Sequence, residues 1–249
     1  FLKEAHAFAG KGSFELVLTG IHISSYGQDT GASLLEMLSE LNAVEGVRRI
    51  RLGSLEPHIL QKPFLSKLRG LQKICPHFHV SLQSGCDSIL KKMNRKYTSR
   101  EFAAYIQNIR EVYERPAITT DVITGFPGET DEDFEATVRF ARRLEFARMH
   151  VFPYSQREGT PAATMAGAVP MHVRRERANR LIEAGKEMER EYAAQFLGTA
   201  QDVLFEQETK EGLCEGYTDR YLRVRAQGTL NTIEPVLLNA YKDGILYGK

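Results

Sequence analysis

ITTDVITGFPGETDEDF, residues 118–134, reads as a short apolar strand carrying Ile118, Val122 and Ile123, a tight turn built from Gly125, Pro127 and Gly128, and the start of a helix. Thr130 followed three residues later by Asp133 makes a capping box, with acidic side chains in the first turn where the helix dipole favours them. A strand that passes through a glycine turn into a capped helix is expected to leave backbone N–H groups free at its carboxyl end, where α/β folds hold their ligands.

The same unit recurs on both sides. Upstream, residues 14–18 (FELVL), 47–52 and 78–82 (FHVSL) read as strands. Helices are expected at about 33–44, after residue 57, as a basic helix carrying Lys91, Lys92, Arg95 and Lys96, and at 99–113. Downstream, a helix over 131–144 precedes a strand at 148–152 (RMHVF). Five alternations of strand and helix predict a parallel sheet with helical crossovers. The strands read as continuous apolar runs rather than alternating ones. A complete eight-stranded barrel takes about 250 residues, so the expected architecture is α/β, an open partial barrel of the TIM type.

From residue 170 the texture changes to one long charged helix with apolar positions at Leu181, Ile182, Met188 and Tyr192, suited to lying across the barrel or linking two domains. Short β segments follow at 202–206, 213–217, 221–226 and 234–238, broken by Gly, Asn and Asp, which predicts a small all-β barrel. The expected domains are residues 1–195 and 196–249.

The 249 residues carry a formal charge of +1, so a nucleic-acid or membrane partner has to be met by a local patch. No apolar run approaches the about 18–20 residues of a membrane span. Three cysteines, Cys75, Cys86 and Cys214, are scattered without metal-site spacing and suit a reducing compartment, so a cytoplasmic location is expected and no residue is assigned to a metal. No Ser-His-Asp order, histidine pair or phosphate loop supports a hydrolase or triphosphatase.

Polar residues gather where strands end: Thr19, Gly20 and His22; Ser54 and Glu56; Gln83 and Ser84; Asp121, Thr124 and Gly125; Tyr154 and Ser155. In a parallel barrel these fall on one rim, able to bind hydroxyls and an amino group. Any one of them alone also suits loop capping. In the tail, Tyr217, Arg220, Tyr221, Arg223 and Arg225 interleave aromatics with cations, a composition suited to stacking on bases and meeting phosphates. Residues 198–249, however, hold six Lys or Arg against eight Asp or Glu. Composition therefore leaves RNA binding open.

Six ordered motifs, VLTGIHISSYG (17–27), GSLEP (53–57), HVSLQSGCD (79–87), LKKMNRKYT (90–98), TTDVITGFPGET (119–130) and VFPYSQREGTPA (151–162), together resemble the methylthiotransferase branch of the radical S-adenosylmethionine enzymes. The last 50 or so residues resemble the TRAM domain that contacts RNA in that family. TGIHISSYG and SLQSGCD are most similar to the branch acting on N6-threonylcarbamoyladenosine beside the anticodon of tRNA. The branches acting on isopentenyladenosine and on a small-subunit ribosomal protein are near alternatives.

The resemblance implies methylthiolation at carbon 2 of that adenosine. It brings S-adenosylmethionine, two 4Fe-4S clusters, and electron and sulfur donors that remain unnamed. It also implies that Thr19, Gly20 and His22 line the methionine amino group and that Gln83 and Ser84 face ribose or carboxylate. Ser54 and Glu56 share that rim, the Asp121 to Gly125 stretch takes the adenosyl part, and the backbone of Val151 and Phe152 takes the adenine. The family's C-x-x-x-C-x-x-C loop and the three cysteines of its amino-terminal domain have no match here. A fragment that neither assembles the radical cluster nor cleaves the cofactor is the expectation. An RNA-binding protein without clusters is the competing one, and catalytic residues stay unassigned.

Overall fold

A computed structural model describes residues 1–20, 23–27 and 31–249. The chain runs α1 (Leu2–Ala9), β1 (Glu15–Leu18), α2 (Leu34–Ala43), β2 (Arg49–Leu52), β3 (Ser54–Leu55), α3 (Lys62–Arg69) and β4 (His77–Val80). It continues through α4 (Asp87–Lys92), α5 (Ser99–Val112), β5 (Ala117–Thr124), α6 (Asp131–Leu144), β6 (Arg148–Pro153) and α7 (Met171–Ala194). Five further strands follow: β7 (Ala200–Glu208), β8 (Cys214–Thr218), β9 (Arg223–Ala226), β10 (Ile233–Lys242) and β11 (Ile245–Gly248).

The parallel strands form two sheets, β1-β2 and β3-β4-β5-β6. The second expected strand is therefore divided, and Gly53 is the break. Its N–H donates to the Leu18 carbonyl at 2.7 Å, and a Cβ there would lie 2.8 Å from the same oxygen. This segment pairs β1 on one side through β2 and β4 on the other through β3, so an open parallel array is retained.

Helices cover one face of this array, where Ile50, Leu52, Phe78, Val80, Ile118 and Val122 join Leu38, Leu65, Phe102, Ile106, Phe134 and Phe140 in the main core. Three helix starts are fixed by capping boxes, Ser33 with Glu36, Thr98 with Glu101, and Thr130 with Asp133. The expected basic helix is shorter than its charge run: α4 stops at Lys92, and Asn94 at φ 57° turns the chain so that Arg95 and Lys96 fall beyond it.

The expectation of continuous apolar strands does not hold. Alternate positions are polar: Arg49 and Arg51, His77 and His79, Thr119 and Asp121, Arg148 and His150 all face away from the helices. Strand periodicity is two, so one face meets the core and the other becomes the polar inner face of the partial barrel.

The tail is a closed five-stranded barrel in the order β10-β11-β9-β8-β7, with β7 pairing β10 to close it. It has one strand more than expected, because Asp243 and Gly244, both at positive φ, turn β10 directly into β11. Tyr221 lies outside β9 in the left-handed region at φ 61°. The barrel's core, Phe205, Val224, Val236 and Leu238, extends to Ala117, Ala147, Tyr192 and Phe196 of the α/β part, so α7 packs into both.

Candidate cofactor and nucleic-acid site

Carboxyl ends of β5 and β6, with the loop that follows, enclose an open cavity of about 520 Å³ lined by Gln83, Asp121, Ile123, Phe152, Tyr154, Ser155, Arg157 and Thr160 among others. That size suits a nucleoside-sized ligand, for which pockets of about 300–1,000 Å³ are usual. Gln83 reaches it from a left-handed backbone at φ 70°, held by its N–H to the Asp121 carbonyl at 2.8 Å and by its own carbonyl accepting from Ile123 N–H at 2.9 Å. Phe152 is 52% exposed and offers a stacking surface.

Of the rim residues read from the sequence, Gln83, Asp121, Phe152, Tyr154 and Ser155 meet at this cavity. Thr19 and Gly20 are exposed just past the end of β1 and Ser54 is exposed at the start of β3, while Glu56, half-buried, donates its N–H to Ser24 Oγ and lies 3.3 Å from His58. His22 lies outside the described residues. Val151 packs against the core side, on the last strand of its sheet.

Two residues point elsewhere. Ser84 is fully buried, its hydroxyl 3.2 Å from that of Thr137 on α6 and accepting the Cys86 N–H. At the glycine turn the expected free N–H groups are taken. Gly125 donates to buried Glu129 at 2.7 Å and Gly128 to the Gly167 carbonyl at 2.6 Å. Glu129 is in turn paired with Arg177 of α7 at 2.7 Å, and Thr124 donates to the Arg174 carbonyl. A Cβ on Gly125 would approach Arg174 Cγ to 2.4 Å. The turn is thus a lock between β5 and α7, because buried N–H groups need partners and α7 supplies the means to hold them.

Below the cavity the inner face carries residues that motif reading passed over. His79 Nε2 sits 3.2 Å from Asp121 Oδ2 and its Nδ1 3.0 Å from Thr119 Oγ1. The His150 ring lies 6.0 Å from that of His79. Half-burial works against the charge of Asp121, but the His79 hydrogen bond and the His79 and His150 rings outweigh it and hold the carboxyl below its ordinary range. Burial, then Arg148, lowers His150, which favours the neutral ring. The signal for these residues was the alternation of polar and apolar positions along each strand.

The β-barrel covers the bottom of the inner face. Arg49 donates to the carbonyls of Tyr217 and Asp202 at 3.0 and 2.7 Å. Arg51 bonds Glu15 at 2.6 Å and the carbonyls of Asp219 and Thr218 at 2.8 and 3.2 Å. Tyr221 stacks on Tyr217 with ring centroids 4.6 Å apart, and the Arg51 guanidinium lies over its ring at 4.7 Å. Arg220 is committed to docking, donating to the carbonyls of Arg115 and Glu114. Arg223 and Arg225 are held together by Glu215, each at 2.7 Å, and remain partly exposed on the barrel. The five expected RNA-facing residues therefore divide into a stacked pair at the junction, one docking arginine and one clamped arginine pair.

This arrangement, a ligand-sized rim cavity over a polar inner face of parallel strands, agrees with what the comparisons find. Residues 1–141 match the model described as the radical SAM superfamily, and the chain belongs to that superfamily. Among curated proteins it is 39% identical over 242 residues to the threonylcarbamoyladenosine tRNA methylthiotransferase of Bacillus subtilis, covering 95% of this chain and 54% of that protein. It is 38% identical over 218 residues to the tRNA-2-methylthio-N(6)-dimethylallyladenosine synthase of Caldicellulosiruptor saccharolyticus, covering 86% of this chain and 46% of that one. The chain spans about half the length of the curated relatives it matches. The fold alone is shared with coproporphyrinogen III oxidase from Escherichia coli, with a TM-score of 0.59 at 16% identity over 75% of this chain and 44% of that one.

Membership implies S-adenosylmethionine and a 4Fe-4S cluster. The rim cavity fits the first, having polar groups for ribose and an aromatic wall for a base. The residues present do not fit the second. Cys75 is buried, which pushes its thiol up to about 12. Cys86 donates to Asp133 at 3.0 Å, and Cys214 to the Gly228 carbonyl at 3.1 Å in the β-barrel. Among the described residues no group of three or more His, Cys, Asp or Glu is placed to hold a metal ion. Among them, too, no helix is long and apolar enough to cross a membrane.

Proposed function

We propose that this chain is the cofactor-holding and RNA-facing part of an enzyme that methylthiolates carbon 2 of N6-threonylcarbamoyladenosine beside the anticodon of tRNA. The observation that carries the reading is the rim cavity opening onto a polar inner face, in a chain whose relatives are named for tRNA methylthiolation. S-adenosylmethionine, when bound, supplies the adenosyl and methyl groups for that chemistry.

Gln83 and Asp121 bind its ribose hydroxyls or carboxylate, Phe152 and Ile123 flank the adenine, and the free edge of β6 at Val151 and Phe152 offers backbone groups to the base. Thr19, Gly20, Ser54 and Glu56 complete the rim toward the methionine end. Ser84 and Gly125 act from behind, fixing the backbone that presents Gln83 and Asp121. The domains divide at residues 195 and 196, with Tyr217, Tyr221, Arg223 and Arg225 turned to tRNA.

Calorimetric titration with S-adenosylmethionine tests the cavity: Gln83→Ala is expected to weaken binding by about tenfold, the worth of one well-made hydrogen bond to a polar or charged group. Unchanged binding overturns the assignment. Mass spectrometry of tRNA nucleosides from cells with and without the gene tests the reaction, and a 2-methylthio group missing from a different adenosine overturns the substrate.

A further inference from the structure

Beneath the His79, Asp121 and His150 group, the inner face ends in a narrow slot where β6, α7 and the β-barrel meet. Thr119, Arg148, Glu189, Arg220, Tyr221, Arg223 and Tyr241 line it. Its cavity volume is about 30 Å³, against the roughly 10–15 Å³ that holds one water, so the slot has room for a small polar group.

The cations around it differ in their commitments. Arg220 is bonded to Asp219 and to two carbonyls, and Arg223 to Glu215. Arg148 is exposed on the edge strand and makes no hydrogen bond or ion pair among the described residues. Its register partner is Thr119. His150, two residues on and opposite Asp121, is exposed on the same face, so a guanidinium without a hydrogen bond or ion pair and an imidazole ring share that face near the slot.

Two adenosine substituents are at issue for the reaction proposed above. One, the threonylcarbamoyl group, ends in a carboxylate; the other, the isopentenyl group, is wholly apolar. An apolar branch placed here would bury against arginine and histidine with no polar atom to offer them, leaving those groups desolvated and unpaired. A carboxylate matches the planar donor fork of Arg148.

We propose that Arg148, assisted by His150, binds the terminal carboxylate of the substrate's N6 side chain and so selects threonylcarbamoyladenosine over isopentenyladenosine. The inference rests on the methylthiotransferase reading above. Glu189 of α7 lines the same slot, where burial raises its carboxyl above the ordinary range against the pull of the Arg148 charge, so a bound carboxylate competes with Glu189 for Arg148. An RNA phosphate offers the same oxyanion chemistry, and the test separates the two sources.

The experiment is equilibrium binding of four free nucleosides or nucleotides to the chain in the presence of S-adenosylmethionine: threonylcarbamoyladenosine, its methyl ester, its 5'-monophosphate and isopentenyladenosine. The unmodified chain is expected to prefer the free carboxylate over the ester by about tenfold, the worth of a charge-assisted hydrogen bond. Arg148→Gln is expected to bring acid and ester to equal affinity while leaving S-adenosylmethionine binding unchanged. His150→Gln is expected to reduce the preference in part.

Equal affinity of acid and ester for the unmodified chain, binding of none of the four ligands, or an unaltered preference in Arg148→Gln, overturns the proposal while the methylthiotransferase reading stands. A loss in Arg148→Gln confined to the 5'-monophosphate assigns the slot to an RNA phosphate and also overturns it. Preference for isopentenyladenosine overturns both this inference and the substrate named under the proposed function.

Discussion

His77 shows how a single side chain senses the junction of the two barrels. It is 7% exposed, its ring lies 5.4 Å from that of Tyr221, and its Nδ1 is buried without a hydrogen-bond partner. Burial, followed by Arg51, His79 and His150, lowers its pKa to about 3. The folded state thus binds the neutral ring, whereas the unfolded chain takes a proton near the ordinary value of about 6.5. Stability from this group is complete above that ordinary value and is lost as pH falls from it toward the folded value near 3. Chemical denaturation at a series of pH values is expected to show stability falling across that window, and His77→Phe is expected to flatten the fall. An identical slope in the variant would show that another group sets it. Residues of this kind were legible as sequence only through their alternation with apolar neighbours. Motif reading favours loops, and the inner-face side chains Arg49, Arg51, His79, Arg148 and His150 lie within strands.

Among the elements, the loop from β4 to α4 is set by contact with α6. Gly85 approaches α6 so closely that a Cβ would lie 2.7 Å from Phe140 Cβ and 2.9 Å from Thr137 Cα. The neighbours are a buried ring and backbone, which have little room to yield. Gly85→Ala is expected to destabilise by about 1–3 kcal/mol, the usual range for overpacking a filled site, and to weaken S-adenosylmethionine binding because Gln83 is two residues away. Urea unfolding and the cofactor titration check the two halves separately. The helix starts were readable because a capping box joins residues three apart. The β10-β11 hairpin was equally local, since Asp243-Gly244 between apolar runs is a turn signal, yet β11 is only four residues long and too short to stand out by periodicity. Ser84 and Gly125 read as ligand-facing because strand ends usually are. The hydroxyl partner of Ser84, Thr137, and the side chain packed against Gly125, Arg174, sit on helices far along the chain.

On the scale of the whole molecule, Arg49 and Arg51 weld the two barrels. Both are buried, and together they satisfy carbonyls of Asp202, Tyr217, Thr218 and Asp219, with Glu15 as counter-ion. The shared core through Ala117, Ala147, Tyr192 and Phe196 adds apolar contact. Removing both guanidiniums takes away these bonds across the junction and leaves the Glu15 carboxylate without its counter-ions, so the double variant Arg49→Leu, Arg51→Leu is expected to separate one cooperative thermal transition into two. Differential scanning calorimetry checks this, and a single sharp transition in the variant would assign the coupling to the apolar contacts alone. The sequence by itself determined the strand-helix alternation, the three capping boxes, the change to β texture after α7 and the motif order, because each depends on residues within a few positions of one another. Only the tertiary structure decided that the glycine turn of residues 118–134 locks onto α7, that the polar strand positions converge on one inner face, and that the arginines of β2 hold the second barrel. Those pairings join residues up to 168 positions apart, and no local spacing encodes which distant carbonyl, carboxylate or helix a buried group will find.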